Sequence, residues 1–316
     1  MQKQVYSIIL NTALYLQYPR LTYRFFRAAK ALPNIAFPNH YYEWIQWRKI
    51  FDHNPLWVIY SDKLAAKSYI ASRLPQLSTA KVLWIGTDIE DAPRELLQGD
   101  VVVKTNHGCN HNYFIRNGVY DWDRLRQRTR RWMKKTFGKK DHEWSSLQVK
   151  HKLFIEEMVG TQTNNLIEIN IRAANGRLAY GTLLIHPKTP RQSVVYINQE
   201  RQRNLITCGE AVAYEEIEAI AIPEGYDEAV RLALAMSQDA DYARYDFFWA
   251  DGTLYGAEIT VYPASGYGDP RGDENLALIG AAWDIGASWF MRQPQTTYRK
   301  LLAKHFQTWR PQPGPK

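Results

Sequence analysis

Apolar and polar residues recur along the chain with the periods of short helices and short strands. Apolar residues at helical spacing predict helices, which cover residues 62–74, 91–97, 122–137, 226–238, 276–291 and 297–308. Alternating and β-branched runs predict strands, which cover residues 81–85, 100–104, 112–115, 152–159, 166–174, 177–185, 193–197, 243–249 and 254–261. Asn175-Gly176 and Asp251-Gly252 are typical hairpin turns. The mixture predicts an α/β or α+β chain with more than one sheet.

The first 55 residues have a pattern of their own. They are rich in aromatic residues and are divided into short helices by Pro19, Pro33, Pro38 and Pro55. Tyr41, Trp44 and Trp47 recur at helical spacing, so we expect them to pack against the body of the protein. The apolar stretch over residues 5–18 lacks the cleavage site of a signal peptide. Its composition leaves open a peripheral contact with a membrane surface and a homodimer interface.

Composition places the chain among globular proteins. It has 316 residues, of which 45% are hydrophobic and 23% are charged, and this excludes a disordered or fibrous chain. The only cysteines are Cys109 and Cys208, which excludes a disulfide-rich secreted scaffold and indicates the cytoplasm. No stretch reaches the roughly 18 uninterrupted apolar residues of a spanning helix, so we expect no membrane span.

The positive charge of the chain is concentrated in one segment. The whole chain has a formal net charge of +8. Residues 116–140 contain ten Lys and Arg against two Asp, a local excess of the same size, so the remainder is neutral overall. This basic helix is a solvated face or a binding surface for an acidic substrate. Nucleic acid is not expected, because Trp122 and Trp132 are too few and too far apart for a stacking platform.

A lysine and a turn form the first candidate site. Lys104 ends an apolar strand, and a buried ammonium group there needs a carboxylate or a phosphate as its counter-charge. The backbone amides of a hairpin turn such as residues 105–112 can hold phosphate oxygens, although no P-loop motif is present. His107, Cys109 and His111 alternate, so a zinc site and a plain hairpin turn are the alternatives.

Carboxylates form the second candidate site. Asp246 and Glu258 lie on strands joined by the turn at 251–252, so both can point to the same face of a sheet. Such a pair, with Arg244 beside it, fits a Mg²⁺ site that substrate phosphates complete, or alternatively a cross-strand polar network. Glu156 and Glu157 end another apolar strand and form either a solvated strand end or a contact with an adenine ring.

Taken in order, these motifs resemble those of ATP-grasp proteins. Five places are similar to D-alanine–D-alanine ligases: Asp62-Lys63 with Lys67, Val102-Val103-Lys104, the run from Ile155 to Val159, Arg244-x-Asp246, and Glu258-x-Thr260 followed by Pro263 and Gly266. The phrases VVVKTNHG, FIEEMV and YDFFWADGTLYGAEITVYPASGY resemble the TupA-like group more closely, which is associated with teichuronopeptide biosynthesis. The resemblance covers residues 56–270 and leaves residues 1–55 outside it.

The resemblance implies an ATP-grasp fold with the nucleotide between two α+β lobes. Its segments would be a helical extension over 1–55, the start of the ATP-grasp module over 56–98, a small lobe over 99–155 and a large lobe over 156–316. Contacts with ATP are implied for Lys63, Lys104, His107, Gly108, Cys109, Asn110, Glu156, Glu157, Met158, Val159 and Glu168. Within this set the lysines would meet the phosphates, the turn would close over them, Glu156 would accept from the adenine amino group, and Glu168 would meet the ribose.

The same resemblance implies a metal site and a reaction. Asp246, Glu258 and Thr260 would hold Mg²⁺, and Arg244 would join Lys104 in catalysis by facing the transferred phosphoryl group or the acyl oxygen. The implied enzyme is an ADP-forming carboxylate–amine ligase that works through an acyl phosphate on a cell-envelope polysaccharide or a secondary metabolite. A kinase of the same fold is one alternative. A degenerate nucleotide-binding scaffold is another, because Thr260 stands where asparagine is usual and Cys109-Asn110 where Ser-Gly is usual.

Overall fold

Two β-sheets organise the chain in a computed structural model, which describes residues 2–160, 166–185, 193–205, 221–268, 270 and 275–307. The described strands are β1 Ser78–Thr79, β2 Val82–Gly86, β3 Val101–Thr105, β4 Asn112–Ile115, β5 Leu153–Glu157, β6 Ile167–Ala174, β7 Arg177–Ile185, β8 Ser193–Ile197, β9 Arg203–Leu205, β10 Ala243–Ala250 and β11 Thr253–Thr260. The small sheet has the order β2-β5-β3-β4, and the large sheet has the order β1-β11-β10-β6-β7-β8-β9. The predicted mixed α and β class with more than one sheet is confirmed.

Helices surround the two sheets. The described helices are α1 Gln2–Gln17, α2 Pro19–Ala29, α3 Tyr41–Phe51, α4 Pro55–Ser61, α5 Lys63–Arg73, α6 Trp122–Lys134, α7 Trp144–Gln148, α8 Gly225–Met236, α9 Asn275–Ala282, α10 Trp289–Arg292 and α11 Thr297–Gln307. No helix in these ranges combines the length and the apolar content that crossing a membrane requires. Cys208 lies outside the described residues.

The large sheet separates an apolar face from a polar one, because successive side chains of a strand point to opposite sides. Ile169, Ile171, Tyr245 and Phe247 alternate along β6 and β10 and are almost completely buried in the main hydrophobic core. The residues between them turn to the opposite face. There Asp246 pairs in register with Glu258 on β11 and with Asn170 on β6, as the sequence predicts for the two carboxylates.

The small sheet is divided in the same way. Val101 and Val103 on β3, and Leu153 and Ile155 on β5, form a second core with Leu125 of α6. The alternate positions, which include Lys104 and Glu156, therefore share the other face of the sheet. Strand β1 belongs to the large sheet and β2 to the small sheet, so residues 56–98 contribute to both. The division of the chain at residues 98 and 155 remains a prediction.

Helix α3 belongs to the main core although it lies in the predicted N-terminal extension. Trp47 stacks edge-on to Phe290, with 5.2 Å between the ring centroids, and Trp44 contacts Trp283 at 5.5 Å. Arg48 is completely buried between the rings of Trp57 and Trp283, and its Nη2 lies 2.8 Å from Asp241 Oδ1. The predicted packing of Tyr41, Trp44 and Trp47 against the body is confirmed.

Most predicted elements have the observed type, with ends that agree to within three residues. The predicted helix over residues 276–291 is wrong. It ends at Ala282, and Asp284 begins a new 3₁₀ turn by accepting a hydrogen bond of 2.8 Å from the Gly286 amide. The predicted helix over residues 91–97 is also wrong, because Pro93 separates two 3₁₀ turns, Ile89–Asp91 and Arg94–Leu97.

Candidate active site

Three lysines line the space between the sheets. Asp62 caps the start of α5 by accepting from the Leu64 amide at 2.9 Å, which places Lys63 in the first turn and Lys67 one turn later. Lys104 reaches the same space from the end of β3. Lys67 is among the residues that carry the resemblance, but the resemblance implies no role for it. Its i, i+4 spacing from Lys63 places both lysines on one face of the helix.

Glu156 is the counter-charge of two of these lysines. Its side chain is 4% exposed. Lys67 Nζ lies 3.0 Å from one carboxylate oxygen, and Lys104 Nζ forms an ion pair with the other. The predicted need of Lys104 for a counter-charge is confirmed, and in this structure a carboxylate supplies it. Burial lowers the pKa of Lys67, and Glu156 counteracts that shift by stabilising the ammonium form.

The Arg244–Asp246 pair lies on the polar face of the large sheet. Arg244 and Asp246 are two residues apart on β10, so their side chains point the same way and form a bidentate ion pair at 2.7 and 2.6 Å. The Thr260 hydroxyl donates to Asp246 at 3.3 Å and accepts from Arg244 at 3.2 Å. The Asn170 amide nitrogen lies 2.9 Å from Asp246 and 3.3 Å from Glu168. Burial raises the pKa of Asp246, although the Arg244 guanidinium opposes the shift.

Glu258 faces Asp246 from the neighbouring strand and has a different partner. Lys63 Nζ lies 3.2 Å from Glu258 Oε1 and also donates to the Gly108 carbonyl at 3.0 Å. Burial opposes ionisation of Glu258, but the ammonium groups of Lys63 and Lys104 outweigh it and lower the pKa of the carboxyl to about 2. Lys63 therefore ties the turn after β3 to the carboxylate pair.

A cavity of about 340 Å³, here called the strand pocket, is built from strands of both sheets. Its lining comprises Ala80, Val102, Lys104, Phe114, Arg116, Glu156, Glu157, Met158, Val159, Leu166, Glu168 and Phe248. The predicted residues from Glu156 to Val159 and Glu168 are thus brought together. The amides of Glu157 and Met158 already donate to the carbonyls of Lys81 and Asp100, both at 3.0 Å. These two amides are therefore already used within the protein, and a contact of the base with the backbone of this segment remains a prediction.

A second cavity of about 230 Å³, here called the loop pocket, is lined by Lys63 and shares no lining residue with the strand pocket. Its lining comprises Tyr60, Ser61, Lys63, Ala66, Gly108, Cys109, Phe137, Glu143, Ser146, Arg244, Glu258, Ile259, Thr260, Val261, Tyr262, Ala264 and Ser265. Glu143 is buried and accepts from the hydroxyls of Ser146, at 3.2 Å, and Ser265. Sequence reasoning missed these three residues, because no motif connects positions so far apart.

The turn at residues 107–110 borders the loop pocket and is stabilised by stacked histidine rings. His107 and His111 are buried; His107 stacks on His151 at 3.6 Å between centroids, and His111 stacks on Trp132 at 5.3 Å. Burial lowers the pKa of both His107 and His111 to about 4. The His107 imidazole therefore points into the small lobe, and the parts of the turn that border the pocket are Gly108 and Cys109.

The turn has a backbone that few residues adopt. Gly108 has a φ of +93°, and a Cβ there would lie 2.7 Å from the His111 ring, so only glycine fits. Asn110 is also left-handed, with a φ of 59°. Zinc finds no site here: the described part of the chain contains no group of three His, Cys, Asp or Glu residues able to hold a metal ion. Cys109 is exposed rather than turned towards the histidines.

The geometry is accompanied by a match to a protein family. The family model described as TupA-like ATPgrasp matches residues 43–282. The chain belongs to the TupA-like ATP-grasp family. The match begins inside α3, so the expectation that residues 1–55 lie wholly outside the resemblance is wrong. The reason is physical, because α3 supplies Trp44, Trp47 and Arg48 to the core of this ATP-grasp chain.

Similar solved structures are ligases. D-alanine–D-alanine ligase from Bacillus anthracis in complex with ATP is 21% identical, with a TM-score of 0.37, and the match covers 64% of this chain and 55% of that one. D-alanine–D-alanine ligase from Helicobacter pylori is 12% identical, with a TM-score of 0.40, and the match covers 78% of this chain and 61% of that one. The ATP-grasp ligase PsnB with precursor peptide PsnA2 and AMPPNP is 12% identical, with a TM-score of 0.38, and the match covers 80% of this chain and 60% of that one. The chain thus spans less than two thirds of each structure. No curated protein matches it.

The donor groups of this TupA-like ATP-grasp chain fit the Mg²⁺ that the resemblance implies. Asp246 and Glu258 are directly opposite each other, and the Thr260 hydroxyl bonds to Asp246, so the group offers oxygen ligands alone. Each carboxylate is matched with a side-chain cation, Asp246 with Arg244 and Glu258 with Lys63. Two facing carboxylates, one of them buried with a raised pKa, are the setting in which a divalent cation relieves repulsion.

Proposed function

We propose that this TupA-like ATP-grasp protein is an ADP-forming ligase that joins a carboxylate to an amine. The observation that carries the proposal is the facing pair Asp246 and Glu258, with Arg244 and Lys63 beside it. Glu258 and Arg244 line the loop pocket, and Asn170 connects Asp246 to Glu168, which lines the strand pocket. The strand pocket is lined mainly by strands, whereas the loop pocket combines residues of helices and strands with residues between them, such as Gly108 and Phe137. Such a site has room for a nucleotide on one side of the carboxylate pair and an acceptor on the other.

ATP would lie with its base in the strand pocket. Phe248, Val102 and Leu166 offer apolar surface for the base, and Glu156 offers an acceptor for its amino group. Glu168 would meet the ribose hydroxyls. Lys104 and Lys63 would exchange their present partners, Glu156 and Glu258, for phosphate oxygens. Lys67 would remain on Glu156 and keep that buried carboxylate neutralised.

Asp246, Glu258 and Thr260 would hold Mg²⁺, which when bound neutralises charge on the phosphates. Arg244 already lies on the same face as Asp246 and lines the loop pocket, so it can orient the acceptor and balance charge on the transferred group. Lys63 links Glu258 to Gly108, so a phosphate that draws Lys63 away also moves the turn. These groups position and neutralise, which is the larger part of catalysis in phosphoryl transfer.

The proposed reaction has two steps. A carboxylate oxygen of the acceptor attacks the γ-phosphorus, the bond from that phosphorus to the β,γ-bridging oxygen breaks, and ADP leaves. The amine then attacks the acyl carbon, its proton is lost, and inorganic phosphate leaves with the formation of an amide. The acyl phosphate between these steps hydrolyses in water, so Gly108 and Cys109 at the rim of the loop pocket would have to exclude solvent.

We extend the proposal to an acidic cell-envelope substrate handled in the cytoplasm, where ATP is available. The support is the open groove on α6, which is lined by Asp121, Asp123, Arg124, Arg126, Gln127, Arg130, Arg131 and Lys134. Glu90 and Asp123 together pair with Arg126 and Arg130. Arg124, Arg131 and Lys134 therefore supply the positive charge that an acidic polymer would meet.

The first test is calorimetric titration of ATP into the native protein with and without Mg²⁺. We expect Mg²⁺-dependent binding that Lys104→Ala weakens at least tenfold, because a phosphate contact is lost. The matched control is Lys139→Ala, an exposed lysine that lines neither pocket. Equal affinities in all three proteins would contradict the assigned nucleotide site. No binding in any of them would overturn the ligase and leave a degenerate scaffold that has also lost the nucleotide.

A second assay separates a ligase from a kinase. The protein is incubated with ATP, Mg²⁺ and pairs of candidate acids and amines, and both inorganic phosphate and the product mass are followed. A ligase releases one phosphate per amide formed, and hydroxylamine traps its acyl phosphate as a hydroxamate. A product that retains the phosphoryl group would instead identify a kinase and overturn the amide-forming step.

A further inference from the structure

The first two helices expose an unusual amount of apolar surface. The described residues include fifteen exposed large apolar side chains, and eight of them lie between residues 5 and 32. These eight are Val5, Tyr6, Ile8, Ile9, Leu16, Tyr23, Phe26 and Leu32. Scattered exposed apolar residues are normal, but such a concentration on one short hairpin of helices indicates an interaction surface.

Helix α1 is fixed with one face inwards and the other in solvent. Leu14 is buried, and Asn11 accepts from the Ala36 amide at 2.9 Å and donates to Asn34 at 2.7 Å. On the opposite side Val5, Ile9 and Leu16 fall within about 40° of one another at 100° per residue. Leu16 is 79% exposed. The stripe is therefore held outwards by the fold.

Every charged residue of the same segment is basic. Residues 1–42 contain Lys3, Arg20, Arg24, Arg27 and Lys30 and no Asp or Glu. Arg24 is used internally, because it pairs with Asp141 and lies over the Tyr267 ring at 4.7 Å. Arg20, Arg27 and Lys30 are exposed beside the exposed rings of Tyr23 and Phe26. Aliphatic, aromatic and basic side chains together are the combination that anchors helices at an anionic lipid surface.

We propose that α1 and α2 dock the protein peripherally on a membrane that contains anionic lipid. Val5, Ile9 and Leu16 would enter the interfacial region, and Arg20, Arg27 and Lys30 would meet lipid phosphates and carboxylates. A second copy of the chain is a poorer occupant, because a two-fold interface brings each basic patch near its own copy with no carboxylate in the segment to balance it. This inference stands on residues outside both pockets and is independent of the reaction.

Docking would bring the loop pocket near the lipid surface. Helix α2 is connected through Arg24 to Asp141 and to Tyr267. Those residues lie two positions from Glu143 and from Ser265, both of which line the loop pocket. An acceptor carried on a membrane lipid would therefore approach the side of the protein where the proposed transfer takes place.

The test is flotation of the full chain with vesicles. We expect binding to phosphatidylcholine vesicles that contain about 30% phosphatidylserine, weaker binding to phosphatidylcholine alone, and loss of binding as salt is raised. The triple variant Arg20→Ala, Arg27→Ala, Lys30→Ala removes three charges, each worth roughly fivefold, so binding should fall about a hundredfold. Ile9→Glu with Leu16→Glu should lower binding at least as much, because two apolar anchors are lost.

Matched controls remove the same chemistry elsewhere. Arg292→Ala, Lys300→Ala, Lys304→Ala deletes three exposed charges from α10 and α11, and Leu301→Glu adds a charge to an exposed apolar position on α11. Both should float as the native protein does. Equal losses in the controls, or binding that does not depend on anionic lipid, would overturn the proposal. So would sedimentation velocity showing a dimer that Ile9→Glu with Leu16→Glu dissociates, since that result identifies a second copy as the occupant. Melting curves check that every variant is folded.

Discussion

The strand pocket is lined by Lys104 and the loop pocket by Lys63, and the two pockets differ in how much of their lining comes from regular strands. The strand pocket takes most of its lining from β3, β4, β5, β6 and β10, whose positions are fixed by ladder hydrogen bonds. The loop pocket is closed by Gly108 and Cys109, Phe137, Glu143, Ala264 and Ser265, which lie between elements or at their ends. The difference teaches that nucleotide recognition can rest on the rigid part of the fold while acceptor recognition rests on the adaptable part.

The largest effect should come from a variant that lowers turnover but leaves nucleotide binding nearly unchanged. Glu258→Gln removes one of the two facing carboxylates, so we expect Mg²⁺-dependent turnover to fall on the order of a thousandfold. Nucleotide affinity measured without Mg²⁺ should change by less than about threefold, because Glu258 does not line the strand pocket. Glu95→Gln, at an exposed position outside both pockets, is the control. Turnover of Glu258→Gln within tenfold of native would remove this carboxylate from the mechanism.

The second largest effect should be that of acid, because buried histidines stabilise the turn beside the loop pocket and none lines the strand pocket. The pKa of His107 and His111 is about 4 in the folded state, below the ordinary value of 6.5. An opened turn takes up protons that the closed turn does not, so acid favours opening as the pH falls from about 6.5 to about 4. Between pH 7 and pH 5 we expect roughly twentyfold more opening per histidine, measured by hydrogen exchange at residues 107–111 and corrected for the intrinsic rate.

The strand pocket supplies the internal reference for that measurement, since its lining contains no histidine. Amides of β5 should keep their protection over the same pH range. His111→Phe preserves a ring against Trp132 and should remove about half of the pH dependence on a logarithmic scale. An unchanged pH dependence in that variant, or equal loss of protection in β5, would show that the histidines do not secure the turn.

The smallest effect concerns a single wall of the strand pocket. Phe248→Ala removes an aromatic surface beside the proposed base, so we expect the Kd for ATP to rise about tenfold, equivalent to roughly 1.4 kcal/mol, with little change in kcat. Ser146→Ala, in the loop pocket, should leave the Kd for ATP unchanged and raise KM for the acceptor a few-fold. Calorimetry and initial rates measure both. The opposite assignment of the two effects would exchange the roles of the pockets.

The sequence predicted those parts of the site that depend on local geometry. Arg244 and Asp246 are two apart on one strand, and the tight turn at 251–252 sets β10 against β11, so the facing of Asp246 and Glu258 follows from alternation and register. Lys104 needed a partner because it ends a buried strand. These inferences use interactions within a few residues or across one hairpin, where the physics is nearly independent of the rest of the chain.

The remainder depended on contacts between distant segments. Glu143 meets Ser265 across 122 positions, which no periodicity foreshadows. Lys67 resembles an ordinary surface residue of α5 until Glu156 from the small sheet is placed beside it. The predicted helix over 276–291 failed because a side-chain cap at Asp284 competes locally with helix hydrogen bonds. The roles assigned to the individual site residues remain predictions.

The burial of Arg48 has a consequence for how the chain is made. Its guanidinium pairs with Asp241, which follows 193 positions later, so α3 leaves the ribosome long before its partner exists. At roughly 5–20 residues per second, synthesis of the intervening chain takes on the order of 10–40 s. During that interval Arg48, Trp44 and Trp47 cannot make their native contacts with the later part of the chain. Helix α3 therefore waits for the segment around Asp241 before its part of the core can close.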